Sequence, residues 1–189
     1  MSETEKKIIE AAIRVFVRYG ARKTTMADIA SEASVSRQTL YAAFGGKDDI
    51  IRASIRFITT VNLNAVRKRL PDCTSLAEQL DVYFAETIIK SFALLQSSSD
   101  AADLVAGHNE AGRAEIAASH RQHTDLVGSL LVPYTREIGQ TGQSPADLAR
   151  FIVAVVMGFK TEAKSREELD QLLISLKIAV LLAAGQKTY

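Results

Sequence analysis

Thr24-Thr25-Met26-Ala27-Asp28-Ile29-Ala30-Ser31-Glu32-Ala33-Ser34-Val35-Ser36-Arg37-Gln38-Thr39-Leu40-Tyr41-Ala42-Ala43-Phe44-Gly45-Gly46-Lys47 decides how this chain is read. Thr25 with Asp28 has the spacing of a capping box, so a helix opens there; Ile29 and Ala30 face inward and Ala33 closes it. Ser34-Val35 makes the turn. Ser36 caps a second helix whose buried side is Leu40 and Phe44, four residues apart. Arg37, Gln38 and Thr39 come at the start of that helix, before any core residue. A helix that presents such side chains at its N-terminal end, set on a shorter helix by a tight turn, can lie in the DNA major groove.

Working outward, Glu3 to Tyr19 reads as a helix with an apolar stripe of Ile9, Ala12, Ile13 and Phe16, stopped by Gly20. Ala21-Arg22-Lys23 is expected as a short charged linker near the DNA backbone. Gly45-Gly46 ends the second helix of the motif. Lys47-Asp48-Asp49 opens a long helix, with acids suited to its positive N-terminal end, running to Leu70 before Pro71. Beyond it, helical periodicity predicts Ser75–Gln96, a loop at Ser97–Asp100, a short helix ending near Gly107, and Glu110–Glu137 bent at Pro133. Pro145–Thr161 and Arg166–Ala184 close the chain, the second opened by a Ser165/Glu168 capping-box pair. The expected fold is all-α. A helix-turn-helix head at 1–52 is joined by a long helix to a helical effector-binding and dimerisation bundle at 53–189.

Charge divides along the same line. Residues 1–70 hold 13 Lys and Arg against 7 Asp and Glu, whereas residues 71–189 hold 10 against 15. A basic head beside an acidic remainder suits a DNA-binding part on a body that stays off DNA. The single cysteine, Cys73, excludes an intramolecular disulfide and any multi-cysteine metal site, and a cytoplasmic location is expected. The apolar runs Phe151–Phe159 and Ile178–Ala184 are shorter than the roughly 20 residues that cross a bilayer, so no membrane association is expected.

With those residues placed, the pattern resembles the tetracycline-repressor (TetR) family of transcription regulators. The resemblance is carried by Ile9, Ala12, Phe16 and Gly20, by Thr24-Thr25-Met26-x-Asp28-Ile29-Ala30, by Val35-Ser36 with Thr39-Leu40-Tyr41 and Phe44, and by Lys47 and Ile50. Two positions depart from it. Ser34 stands where relatives often have Gly, and Ala42 and Ala43 stand where many carry an aromatic or a histidine. If the turn needs a positive φ, Ser34 costs on the order of 1 kcal/mol.

On this reading Arg37 recognises guanine through its planar fork, and Gln38 pairs with adenine or bridges to phosphate. Thr25, Ser36, Thr39, Tyr41 and Lys47 position phosphates. The resemblance implies a homodimer formed by the last two helices, with Val156 in the seam. It also implies a small-molecule pocket in the body, with Tyr83, Phe84, Phe92, His108, Asn109, Arg113, His120, His123 and Tyr134 as candidates. His120 and His123 lie three apart on a helix, but no third ligand and no His-Glu-x-x-His spacing accompanies them, so no metal is expected. No nucleophile motif, phosphate-binding glycine loop or acid–base pair stands out, and neither an enzyme nor a cofactor is expected. The expected function is a ligand-responsive transcriptional regulator, a repressor on a near-palindromic duplex operator, released by an effector. The alternative is a helical ligand-binding or enzyme domain whose head does not bind DNA specifically.

Overall fold

The computed structural model describes residues 1–96 and 110–187, and all regular structure among them is helical. Helix α1 spans Glu3–Lys23, α2 Met26–Glu32, α3 Arg37–Ala43 and α4 Lys47–Arg69. A 3-10 turn at Leu70–Asp72 follows, with Pro71 at its start. Then come α5 (Leu76–Tyr83), a π-helical segment (Phe84–Ile89) and α6 (Lys90–Gln96). The remainder is α7 (Glu110–Leu131), a 3-10 turn at Val132–Tyr134, α8 (Thr135–Gly139), α9 (Pro145–Glu162) and α10 (Arg166–Ala183).

The chain divides into two compact units. One is Met1–Val61 with Leu94–Ser119, the other Asn62–Ala93 with His120–Tyr189. The first has a core of Ile8, Phe16, Ile29, Leu40, Ile50 and Ile51, each almost fully buried. The second is built on Leu63, Val66, Leu80, Tyr83, Ile88 and Leu131, with Ile152, Val156, Leu169 and Val180 from the last two helices.

Most helix ends fall where their capping residues stand. Thr25 and Asp28 form a complete capping box, as do Ser144 and Asp147 ahead of Pro145. Ser165 accepts from the Glu168 amide, but the Glu168 carboxylate turns to the Lys164 N–H, so only half of the expected box forms. Gly20 breaks α1 at φ 76°, ψ 150°, and one further turn carries Ala21-Arg22-Lys23 rather than an extended linker. The helix expected over Ser75–Gln96 is interrupted by the π segment, a feature of hydrogen-bond register that side-chain periodicity does not reveal. The bend near Pro133 takes the form of a 3-10 turn between α7 and α8. The loop at Ser97–Asp100 and the short helix ending near Gly107 lie outside the described residues. Among the described residues no helix is long and apolar enough to cross a membrane.

Candidate nucleic-acid interface

The head is built around one turn. At the end of α2 the Val35 amide donates to the Ala30 carbonyl and the Ser34 amide to Ser31, both at 3.0 Å. This is the Schellman pattern, which requires a left-handed residue between the two helices. Ser34 supplies it at φ 50°, the only non-glycine positive φ among the described residues. The cost anticipated for Ser34 is therefore incurred. Val35, half-buried, packs back on the core of this unit and holds the turn closed.

Ser36 then opens α3. Its Oγ accepts from the Thr39 amide at 3.0 Å and lies 2.8 Å from the Thr39 hydroxyl. Leu40, with no exposure, pins one side of the helix to the core. Arg37, Gln38, Thr39 and Tyr41 are exposed on the remaining sides, Tyr41 at 55%. Arg37 and Gln38 make no hydrogen bond or ion pair among the described residues, which leaves the guanidinium fork and the amide unspent. Thr25 is exposed, but its hydroxyl is shared with Asp28, donating at 2.7 Å and accepting from the Asp28 amide at 3.2 Å. The Thr25 hydroxyl and the Thr25 backbone N–H, both donating to the Asp28 carboxylate, hold that carboxyl below the usual range.

Lys47 differs from the rest of the set. Its ammonium donates to the carbonyls of Ala21, Arg22 and Thr24 at 3.0, 3.3 and 3.1 Å. An ammonium has three donors, and here all three close the chain between α1 and α2. Thr24 completes that closure, its Oγ1 donating to the Gly20 carbonyl at 2.8 Å. Lys47 thus acts by setting the frame on which α2 and α3 stand.

The body residues named as pocket candidates lie in several settings. Tyr83, Phe84 and Phe92 are core. Tyr134 is half-buried against that core, and Arg113 is exposed in the other unit. His108 and Asn109 lie outside the described residues. Two candidates do meet: Tyr83 Oη is 3.2 Å from His123 Nδ1, with the rings edge-on at 5.8 Å. Burial holds His123 down to about 4 and the Tyr83 phenol well above its ordinary value, so both are neutral at pH 7. Val156, placed in a dimer seam by sequence, has no exposure; it belongs to the interior of its own subunit. The apolar side chains left outside are Phe151 on α9 and Ile174, Ile178 and Leu182 on α10.

A capped, core-anchored α3 with unspent polar side chains defines a helix-turn-helix domain. The family profile of bacterial regulatory proteins of the tetR family matches residues 8–54. The HTH-type transcriptional regulator TtgR of Pseudomonas putida is 45% identical over 51 residues, 27% of this chain and 24% of TtgR. The match therefore spans about a quarter of that relative's length. YuxN of Bacillus subtilis, an uncharacterised HTH-type transcriptional regulator, is 26% identical over 148 residues, 73% of this chain and 50% of its own. The fold extends further. The fatty acid degradation regulator FadR of Bacillus halodurans superposes with a TM-score of 0.75 at 18% identity, over 96% of both chains. A putative transcriptional regulator from Saccharomonospora viridis, solved in complex with choline, gives 0.68 at 19% identity, over 95% of this chain and 96% of its own. The head of this chain, residues 8–54, is similar to the DNA-binding domain of tetR-family regulators.

Proposed function

We propose that the protein is a transcriptional regulator that reads a near-palindromic duplex as a homodimer and releases it on binding a small molecule. The observation that carries the reading is α3. Its cap and core anchor fix the helix, and Arg37 and Gln38 stand exposed with no partner among the described residues. A guanidinium in that position can donate both bonds to guanine O6 and N7. Thr25, Ser36, Thr39 and Tyr41 flank it as phosphate-positioning groups. The two helix N-termini at Thr25 and Ser36 favour anions through their free amides.

Repression, rather than activation, is part of the proposal because a small molecule that releases DNA needs only to favour a state unfit for both half-sites. The unit division falls within α4, between Val61 and Asn62, and within α7, between Ser119 and His120. These two helices are the elements through which such a bias would act. A protein of this fold solved with choline supports a body able to hold a small molecule.

The test is selection of the preferred duplex from random DNA, followed by titration of Arg37→Ala on it. The substitution is expected to weaken binding by about 1–3 kcal/mol and to relax preference at one position per half-site. Unchanged affinity and preference would remove Arg37 from the recognition surface. No salt-sensitive selected duplex at all would favour a head that serves another partner.

A further inference from the structure

Helix α3 has seven residues, Arg37–Ala43, and its core anchor fixes the direction in which each of the others points. Leu40 has no exposure and marks the inward side. At about 100° per residue, Gln38 and Ala42 each lie about 160° round from Leu40, one on either side of the outermost line of the helix. Thr39 and Tyr41, at about 100°, form the flanks. All four are exposed. The helix therefore leads with an amide and, one turn further on, with a methyl.

The surroundings of Ala42 are apolar as well. Thr39 precedes it by three positions and shares its side of the helix. The Thr39 hydroxyl is turned back to the cap, 2.8 Å from Ser36 Oγ, which also accepts from the Thr39 amide at 3.0 Å. Of the two hydroxyl protons, one is held within that pair and one remains for a phosphate. Beyond the pair, Thr39 has its methyl. Ala43 and Phe44 are half-buried and pack on the core, so Ala42 is the last residue of α3 on the outer face. A side chain of one methyl at that point lets the backbone come close to the floor of a groove, but it can make no hydrogen bond there. Among the groups that base pairs present in the major groove, the apolar one is the C5 methyl of thymine.

We propose that Ala42 is a specificity-determining residue of the head, packing on the C5 methyl of a thymine in the same half-site that Arg37 and Gln38 read. The inference rests on the proposed DNA-reading role of α3 and adds to it a base selected without a hydrogen bond. A merely solvated Ala42 would leave the base pair opposite it unspecified.

The experiment starts from the duplex that the full-length protein selects from random DNA. Each thymine of one half-site is replaced in turn by deoxyuridine, which keeps every donor and acceptor of the base and lacks only the methyl. At one position the wild type is expected to lose roughly fourfold in affinity, the worth of one methyl-sized apolar contact. Ala42→Gly should bind the thymine and deoxyuridine duplexes equally. Glycine weakens a helix, but that loss falls on both duplexes and cancels in their ratio. Ala42→Gln suits the helix and removes the apolar contact, so selection repeated with it should replace that thymine and keep the guanine assigned to Arg37. A wild type indifferent to every thymine methyl, a ratio that survives Ala42→Gly, or an unchanged selection by Ala42→Gln would each overturn the proposal. In those cases a salt-sensitive selected duplex still supports the regulator reading. If no duplex is selected, that reading falls and the assignment of Ala42 falls with it.

Discussion

Lys47 illustrates how the fold can offer a residue a second task beside the one its place in the sequence suggests. As a lysine beside a recognition helix in a basic head, it reads as a phosphate contact. In the fold its three donors close on the carbonyls of Ala21, Arg22 and Thr24. The two roles make different predictions about salt. A lysine on phosphate releases a counterion, and losing it lowers the slope of log affinity against log salt by about one. A lysine that braces the α1–α2 connection weakens binding through misplacement and leaves the slope alone. Lys47→Met is therefore expected to lower the unfolding free energy by about 1–3 kcal/mol, since two half-buried carbonyls and the exposed one of Arg22 lose a charged donor. Operator affinity should fall with an unchanged salt slope. A drop of one in the slope with unaltered stability would return Lys47 to the phosphate backbone.

At the scale of elements, what the sequence made legible is what is chemically local. Thr25 with Asp28, Ser36, and Ser144 before Pro145 mark helix starts because the bonds they make are to amides three residues away. The π segment at Phe84–Ile89 and the target of Lys47 were not legible. Each depends on which helix lies opposite. The same holds for His123, which reads as one of a histidine pair but is bonded to Tyr83, 40 positions away, across the α5–α7 contact. That contact carries a pH dependence. His123 is buried, faces Tyr83, His120 and Lys160, and titrates in the folded protein at about 4 instead of 6.5. Between those values the unfolded chain binds a proton that the folded one does not, so stability is full above pH 6.5 and is lost as pH falls toward 4. The loss approaches roughly 3 kcal/mol at the lower end. Urea unfolding at pH 7, 6 and 5 should show this decline, and His123→Gln should flatten it in a range where carboxylates contribute little. Parallel declines in both proteins would mean the ring is free to charge in place.

On the proposed reading two heads meet one duplex, and the face that could pair them is on the outside of the last two helices. Ile174, Ile178 and Leu182 repeat every four residues along α10 and are 53%, 41% and 61% exposed, with Phe151 of α9 at 54%. A helix whose core side is already filled by Leu169, Leu173, Leu176 and Val180 gains nothing from a second apolar stripe unless another surface covers it. Exposed Ala154 and Gly158 on α9 would let a neighbouring helix approach closely. A self-complementary contact of about 1,200–2,000 Å² across a two-fold axis would bury these residues in both subunits. The position to test is therefore Ile178 and not Val156, whose replacement would damage the subunit itself. Ile178→Glu leaves the internal core intact and would place a carboxylate against its own symmetry mate or an apolar neighbour. The variant is expected to melt as a folded monomer, with sedimentation giving the 20.6 kDa of one chain where the wild type gives twice that. Loss of the linked second head should then weaken operator binding by about 10²–10⁴, and the residual half-site binding should retain about half the salt slope. A wild type that sediments as a monomer at micromolar concentration, or a variant that remains dimeric with full operator affinity, would mean that this stripe is not where two copies meet.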